Sequence, residues 1–343
     1  MDIFTGLNPE TQYSNRKLQL IFGAWVASAP FDRKAKVTVA SGDISEDDYT
    51  KQSIYALLYS LYREVGTVLS EHGEPYEFTF NTWGYDWPDT WGERPYGPRD
   101  PQRFGKYAYT GLFEVEAVKA YAAERDGKVH IVEMGCGTGA GAHHICTEVW
   151  PECTYIAIDM QGAAIETCNR KHVPETNGRL TAIHGDATKV DIASNSVDFL
   201  VINETHVMEY AGRVTEEDER FFAAVVDRLK PGGFLVWGNA IPDTTWQPCF
   251  DHLKSIGMIE IQIRDVTKEA VLARDLDEPR AEAYVKQCLE KFVAFKVPVI
   301  GPRRAKEAGQ AMRNFFRHPG TRLYDNMVDG SDTYKVVCFQ KPA

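Results

Sequence analysis

The sequence of 343 residues predicts an α/β fold with a doubly wound, Rossmann-like sheet of seven strands. Short β-branched runs alternate with helical segments between residues 129 and 237, which is typical of a parallel sheet with helices on both faces. Glycines stand at positions 135, 137, 139 and 141, between the first run and a helical segment. A strand that passes through such a turn into a helix presents backbone N–H groups to a ligand.

Residues 1–110 are expected to form an N-terminal helical and aromatic cap. Residues 45–69 predict an amphipathic helix, because acids at the start precede apolar residues at three- and four-residue spacing. Residues 78–109 are rich in aromatic residues interleaved with glycine and proline. Two interpretations of this segment have similar weight: an irregular segment packed over a core, or an aromatic lid over a small-molecule pocket.

Residues 111–266 are expected to form the core of the sheet. Apolar or alternating runs predict strands at residues 129–133, 155–158, 180–184, 197–202, 234–237 and 258–266. Helical spacing predicts helices at residues 111–125, 145–149, 162–172, 221–229 and 250–255. Residues 267–318 predict a helical insertion, with helices at 268–275 and 279–295, and residues 319–343 contain a final strand at 333–340.

Composition and charge exclude several classes of protein. A net charge of -11 argues against a nucleic-acid partner, which would need a basic face. No apolar run approaches the length of about 20 residues that spans a bilayer, and the first residues lack the basic and apolar regions of a signal peptide. Seven cysteines without CxxC pairs favour reduced thiols rather than a metal site. We therefore expect a cytoplasmic protein without a metal.

The glycine turn by itself leaves two ligand classes open. A phosphate-binding loop is excluded, because Ala142 and His143 follow the last glycine where that loop needs Lys and Ser or Thr. The dinucleotide pattern G-x-G-x-x-A is satisfied by residues 135–140, and Asp159 supplies the acid expected about 20 residues later. On these features, an NAD(P)-dependent oxidoreductase stays open.

Four further features, taken in order, make the resemblance more specific. They are the pattern E-x-G-x-G-x-G at residues 133–139, the strand-end acid Asp159, Gly185-Asp186-Ala187, and Leu-Lys-Pro-Gly-Gly at residues 229–233. In this order they resemble a class I S-adenosylmethionine-dependent methyltransferase over residues 129–237. The resemblance implies S-adenosyl-L-methionine as the cofactor.

The same resemblance implies roles for individual residues at the cofactor site. The glycine turn would contact the methionyl part and the ribose, Asp159 would bind both ribose hydroxyls, and Asp186 would accept from the adenine amino group. For either acid, the alternative is a helix N-cap at a strand–helix turn. The full set of implied cofactor contacts is Glu133, Gly135, Cys136, Gly137, Gly139, Asp159, Met160, Asp186, Ala187, Asn203, Trp83 and Tyr85.

The flanking segments narrow the resemblance to small-molecule enzymes. Residues 81–85 resemble the aromatic Gly-Tyr segment of sterol, tocopherol and phthiotriol-type methyltransferases. Residues 203–206 resemble the acidic segment that follows a strand in those enzymes and in prenyl-diphosphate C-methyltransferases. Residues 324–341 resemble their final strand.

The catalytic and acceptor-binding residues are expected at the carboxyl ends of the strands. His206 is the expected general base, since its ordinary pKa suits proton removal near neutrality; a structural histidine has equal weight. Glu204 would contact the cofactor amino group or stabilise a carbocation. The expected acceptor contacts are Thr205, Trp237, Asn239, Trp87 and Tyr107.

The predicted function is methyl transfer to a hydrophobic, natural-product or lipid-like small molecule. O-methylation is slightly favoured over C- or N-methylation. A non-catalytic protein that binds the cofactor is a further hypothesis, and a protein acceptor is less favoured. The sequence leaves a homodimer open.

Overall fold

The computed structural model describes residues 66–70, 72–205, 213–294, 309, 312–313 and 316–343. The strands are β1 (Thr67–Leu69), β2 (Pro75–Glu77), β3 (His130–Met134), β4 (Thr154–Asp159), β5 (Leu180–His184), β6 (Val197–Asn203), β7 (Leu229–Pro242), β8 (Ile259–Asp265) and β9 (Asp332–Gln340). The α-helices are α1 (Arg103–Leu112), α2 (Glu116–Ala123), α3 (Ala140–His144), α4 (Gly162–Lys171), α5 (Glu216–Arg228), α6 (Asp243–Ser255), α7 (Thr267–Ala294) and α8 (Arg322–Asp329). Helix α3 continues into one π turn, Ile145–Val149.

Seven of the described strands form one sheet in the order β5-β4-β3-β6-β7-β9-β8. Strands β5, β4, β3, β6 and β7 are parallel. Strand β9 lies antiparallel between β7 and β8. The predicted fold class, a doubly wound sheet of seven strands, is confirmed. The parallel strands end at one edge, which is where ligands bind in such sheets.

Helices cover both faces of the sheet, because alternate side chains of each buried strand point in opposite directions. On one face, which we call the cap face, Phe199 and Val201 pack in the same cluster as residues of α1, α2 and α3. On the other face, Leu200 and Ile202 pack with residues of α5 and α6. The aromatic segment after β2 belongs to the cap face.

Helix α7 lies against the N-terminal part of the chain. Gln287 exchanges two hydrogen bonds of 3.1 Å with the backbone of Leu69 in β1. The Asp86 N–H, in the aromatic segment, donates to the Glu269 carbonyl at 2.9 Å. Segments that are distant in sequence therefore meet above the cap face.

Several predicted elements differ from the observed ones. Residues 67–69 are the strand β1 and not the end of a helix; the rest of the predicted helix, up to residue 65, lies outside the described residues. The helix predicted at 111–125 is the shorter α2, Glu116–Ala123, and the separate helix α1 ends at Leu112. Between them Phe113 packs on Trp150, with 4.5 Å between ring centroids.

Helix α5 begins at Glu216 and not at residue 221, because Thr215 and Asp218 form a capping box. Strand β7 extends from Leu229 to Pro242, beyond the predicted 234–237, because β9 pairs with it from Phe234 to Pro242. Helix α7 is continuous through Pro279, where the sequence predicts two helices. Buried side chains on both sides of the proline outweigh the hydrogen bond that it removes.

Among the described residues, no helix combines the length and apolarity that a membrane span requires.

Candidate active site

The glycine turn between β3 and α3 is held on the end of the neighbouring strand. Gly135, Gly137 and Gly139 have φ angles of 86°, 54° and 78°, a region that side chains strain to adopt. The N–H groups of Gly135 and Cys136 both donate to the carbonyl of Ile158 in β4, at 2.8 and 2.9 Å. The sequence pattern therefore forms a fixed turn at the carboxyl edge of the sheet.

Neighbouring side chains also require glycine in this turn. A Cβ on Gly135 would lie 2.1 Å from Oγ1 of Thr205, and one on Gly139 would lie 2.2 Å from Sγ of Cys168. The Thr205 hydroxyl donates to the Gly135 carbonyl at 3.1 Å, and the Asn239 amide donates to the Thr205 carbonyl at 3.1 Å. Thr205 and Asn239 were predicted as acceptor contacts, but the structure places them as supports of the turn.

Asp159 lies directly beside the turn, at the end of β4. Its Oδ2 accepts from the Gly137 N–H and its Oδ1 from the Gln161 N–H, each at 2.8 Å. Burial raises the pKa of Asp159, and these two N–H donors act against the rise. Each oxygen keeps further acceptor capacity, as two ribose hydroxyls would need. Met160, which follows, is 50% exposed and offers an apolar surface at this edge.

Glu133 and Asn203 are buried at the ends of β3 and β6. Glu133 is fully buried; its oxygens accept from the hydroxyls of Tyr109, at 2.7 Å, and Tyr155, at 3.0 Å. Asn203 is only 4% exposed, and a hydrogen bond with its side chain acts to lower the pKa of the Tyr109 hydroxyl. A side-chain amide has more hydrogen-bonding positions than this one neighbour fills, so Asn203 is suited to bind a polar group of a ligand as well.

The stability of the Glu133→Gln variant relative to the wild type should rise with pH. Burial raises the pKa of Glu133 from 4.5 to about 7, so between these values the folded state binds more protons than the unfolded state. The wild-type free energy of unfolding should fall as pH rises through this window, by on the order of 3 kcal/mol. Glutamine avoids this loss, since its amide accepts from one tyrosine and donates to the other.

Urea titrations of both proteins at about pH 5 and about pH 8 measure this effect. The stability of Glu133→Gln relative to wild type should rise between the two conditions. Glu116→Gln, which replaces an exposed carboxylate, should show no such rise. A difference that is the same at both pH values would contradict the raised pKa.

The loop after β5 is held by a residue that sequence reasoning missed. Arg228, buried at the end of α5, donates to the carbonyls of Ala187, at 2.5 Å, and Thr188, at 3.3 Å. Asp186 accepts from the Thr188 hydroxyl at 2.7 Å and pairs with Lys189 at 2.9 Å. Burial alone would raise the pKa of Asp186, but Thr188 and Lys189 lower it. Arginine is mostly exposed in folded proteins, so nothing in the sequence indicated its role.

Glu204, predicted as catalytic, connects the cap to the sheet. It has a φ of 50° and its side chain is 4% exposed. Its Oε2 accepts from the Trp83 N–H at 2.6 Å, and its Oε1 accepts from the Gly84 N–H at 3.3 Å and the Tyr334 hydroxyl at 2.9 Å. Arg317 lies 3.7 Å away. These contacts describe a positioning residue whose oxygens are already engaged.

The aromatic segment is packed core in its described part. Trp83, Tyr85, Trp87 and Tyr107 are all buried on the cap face. Tyr85 contacts Tyr334 edge to face with 5.4 Å between centroids, and Trp87 lies 5.5 Å from Tyr107. Of the predicted cofactor contacts, Trp83 thus meets Glu204 through its backbone N–H, and Tyr85 packs on Tyr334. The predicted acceptor contacts Trp87 and Tyr107 pack on each other.

Trp237 and His206 were also predicted to line the acceptor pocket. Trp237 is fully buried on the face opposite the cap, where it packs on Trp246 with 4.9 Å between ring centroids and on Phe222. This position does not fit the predicted contact with an acceptor above the cap face. His206 lies outside the described residues, and its role as a base stays a prediction.

The comparisons with known proteins agree with this geometry. A family model described as a methyltransferase domain matches residues 131–233. The phthiotriol/phenolphthiotriol dimycocerosates methyltransferase of Mycobacterium tuberculosis is 24% identical over 216 residues, covering 63% of this chain and 70% of the relative. The fatty-acid O-methyltransferase of Mycolicibacterium smegmatis is 22% identical over 234 residues, covering 67% and 75%.

A solved structure, that of the [4+2]-cyclase SpnF, shares the fold. It has a TM-score of 0.52 and 16% sequence identity, and the match covers 84% of this chain and 94% of that chain.

The geometry and the family match decide between the two ligand classes. A dinucleotide-binding sheet is mostly parallel, whereas here the antiparallel β9 lies between β7 and β8. The acceptor oxygens of Asp159, the buried amide of Asn203 and the exposed Met160 fit a nucleoside that carries an amino-acid tail. The family match over residues 131–233 includes all three. Residues 131–233 are therefore a methyltransferase domain, and S-adenosylmethionine is its cofactor.

Proposed function

We propose that this enzyme methylates a hydrophobic, lipid-like small molecule, with oxygen as the favoured acceptor atom. The observation that carries the proposal is the aromatic cap fixed directly on the cofactor edge. The Thr138 hydroxyl, in the glycine turn, donates to the Thr79 carbonyl at 2.7 Å, and Glu204 binds the N–H groups of Trp83 and Gly84. The buried aromatic side chains of the cap exclude water from this edge, and an apolar surrounding with few polar groups is suited to a small hydrophobic ligand.

The relatives support the same class of acceptor. Their names describe methyl transfer to phthiotriol dimycocerosates and to fatty acids, both of which are lipids. The proposed division of the chain supports it as well: a cap (1–110), a core (111–266), a helical insertion (267–318) and a final strand (319–343). The contacts of α7 with Leu69 and Asp86 join the insertion to the cap.

For methyl transfer, the protein mainly has to align the acceptor with the methyl group and exclude water. S-adenosylmethionine, when bound, supplies a methyl group that is already activated by a sulfonium. Asp159 and the glycine turn would hold the nucleoside, and Asn203 the polar tail. The buried aromatic side chains of the cap exclude water. For a hydroxyl acceptor, His206 is the proposed base, since its ordinary pKa lies near neutrality.

Asp159→Asn should weaken binding of S-adenosylhomocysteine by about tenfold to 100-fold, because a carboxylate accepts two hydroxyl protons where an amide oxygen accepts fewer. Calorimetric titration measures this. Asp251→Asn, at a surface site on α6, is the matched control and should bind like wild type. Unchanged affinity in Asp159→Asn would contradict the ribose role.

Incubation with S-adenosylmethionine labelled on its methyl group tests the proposed acceptor class. Label should enter the organic extract with a fatty acid, a phenol or a sterol, and alkaline hydrolysis should release it if an ester has formed. Binding of the cofactor without label in any hydrophobic acceptor would contradict the proposal. It would favour instead a protein that binds the cofactor without transferring the methyl group.

A further inference from the structure

Helix α7 contains a buried arginine whose nearest carboxylate is already engaged. Arg274, Asp277 and Arg280 are all more than nine-tenths buried. Arg280 binds both Asp277 oxygens, one of them through Nε at 2.6 Å, and donates to the Tyr76 hydroxyl at 3.3 Å. Arg274 reaches Asp277 only at 3.5 Å, and its Nε has no hydrogen-bond partner among the described residues.

Arg317 is in a similar position. Its Nη2 lies 3.7 Å from Glu204 Oε2, which already accepts from the Trp83 N–H at 2.6 Å. Its Nε is buried and has no hydrogen-bond partner in the described part of the chain. The guanidinium lies 4.9 Å from the centre of the Trp83 ring.

The two arginines share one electrostatic environment. Burial lowers the pKa of Arg274 to about 10; the positive charges of Arg280 and Arg317 act in the same direction, and the negative charges of Asp277 and Glu204 act against it. Among the described residues, this cluster therefore has three guanidinium groups and two carboxylates. Burying a charge without full compensation is unfavourable, and one added negative charge would balance this cluster.

The cluster lies next to the cofactor turn. Arg317 contacts Glu204, and the next residue, Thr205, donates to the Gly135 carbonyl. Trp83, which lies under the Arg317 guanidinium, belongs to the cap. A ligand group bound here would therefore sit between the cap and the glycine turn, where an acceptor must enter.

We propose that Arg274 and Arg317 bind the carboxylate of an amphipathic acceptor whose apolar part lies against the aromatic cap. The inference rests on the proposed function and narrows its acceptor class to molecules with one anionic head group. A guanidinium is suited to this task because its N–H groups match the geometry of a carboxylate. A monoanion fits better than a phosphate dianion because, among the described residues of the cluster, the guanidinium groups outnumber the carboxylates by one.

The test uses the full chain saturated with S-adenosylhomocysteine and two probes of equal length, dodecanoate and 1-dodecanol. Calorimetry should show that Arg274→Met and Arg317→Gln each weaken dodecanoate binding by about tenfold or more, with little change for dodecanol. Arg274→Lys should recover part of the affinity. The control is Arg313→Gln, which removes an arginine already paired with Glu282, and it should bind dodecanoate like wild type.

Two further measurements separate this site from other roles of the arginines. Because Arg274 is incompletely paired, Arg274→Met should leave the melting temperature unchanged or raise it; a fall of several degrees would show a structural role and overturn the proposal. The cofactor also carries a carboxylate, so affinities for S-adenosylhomocysteine and for 5′-methylthioadenosine, which lacks that group, are compared.

The variants should leave the ratio of these two affinities unchanged, and a selective loss for S-adenosylhomocysteine would assign the arginines to the cofactor. No binding of dodecanoate to the wild type would also overturn the proposal. The titration with S-adenosylhomocysteine tests the cofactor site, and the titration with dodecanoate tests the anion site. A failure of the proposed function is therefore distinguishable from a failure of the proposed anion site.

Discussion

Gly135→Ala is expected to weaken binding of S-adenosylhomocysteine by about 100-fold and to destabilise the protein by about 3 kcal/mol. Two effects add. The residue has a φ of 86°, and a new Cβ would lie 2.1 Å from Thr205 Oγ1 and 2.4 Å from its Cγ2. The turn must move to relieve this overlap, and its N–H groups then leave the Ile158 carbonyl and the cofactor site. Calorimetry and urea titration measure the two losses.

Gly257→Ala is the matched control for backbone strain alone. Gly257 has a φ of 90°, and a Cβ there would meet no atom within 4 Å. This variant should lose about 1 kcal/mol of stability and keep its affinity for the cofactor. Adding Thr205→Gly to Gly135→Ala should recover part of the binding, because it removes the overlapping atoms. A double variant as weak as the single one would contradict the steric explanation.

Glu204→Ala is expected to abolish most activity and to destabilise the protein by about 3 kcal/mol, since buried donors lose a charged acceptor. The N–H groups of Trp83 and Gly84 and the hydroxyl of Tyr334 would all lose their partner. The cap should then separate from the sheet, and limited proteolysis should cut the segment near Trp83 faster than in wild type.

Glu204→Gln separates the positioning role from the predicted catalytic one. The glutamine oxygen can accept from the Trp83 N–H while its amide donates to the Tyr334 oxygen. Only the longer bond from the Gly84 N–H, at 3.3 Å, loses its acceptor, so this variant should keep most of its activity. Tyr334→Phe, which removes one of the hydrogen bonds, should lose only about 1 kcal/mol. A Gln variant that is folded but as inactive as the Ala variant would show that the charge itself takes part in the reaction.

Local pattern was sufficient for the sheet and for the cofactor loop. The run 180–184 is the strand β5 as predicted, and 197–203 differs from the prediction by one residue. The β6 run is buried throughout, and such apolar runs are typical of the strands of a parallel sheet. The glycine turn could also be predicted from local sequence, since a positive φ angle is a property of a single residue and favours glycine there. Strand length was less predictable, and β7 is longer than predicted because β9 pairs along it.

The sequence by itself determined the fold class and the methyl donor, because short, contiguous motifs at the strand ends and in the glycine turn indicate both. Only the tertiary structure decided which side chains serve the site. Strand alternation separates Val236 from Trp237 but does not say which face carries the cap, and Trp237 lies on the face away from it. Arg274 and Arg317 come from segments more than 100 residues after Trp83. Charge compensation among such residues depends on distances that exist only once the chain has folded.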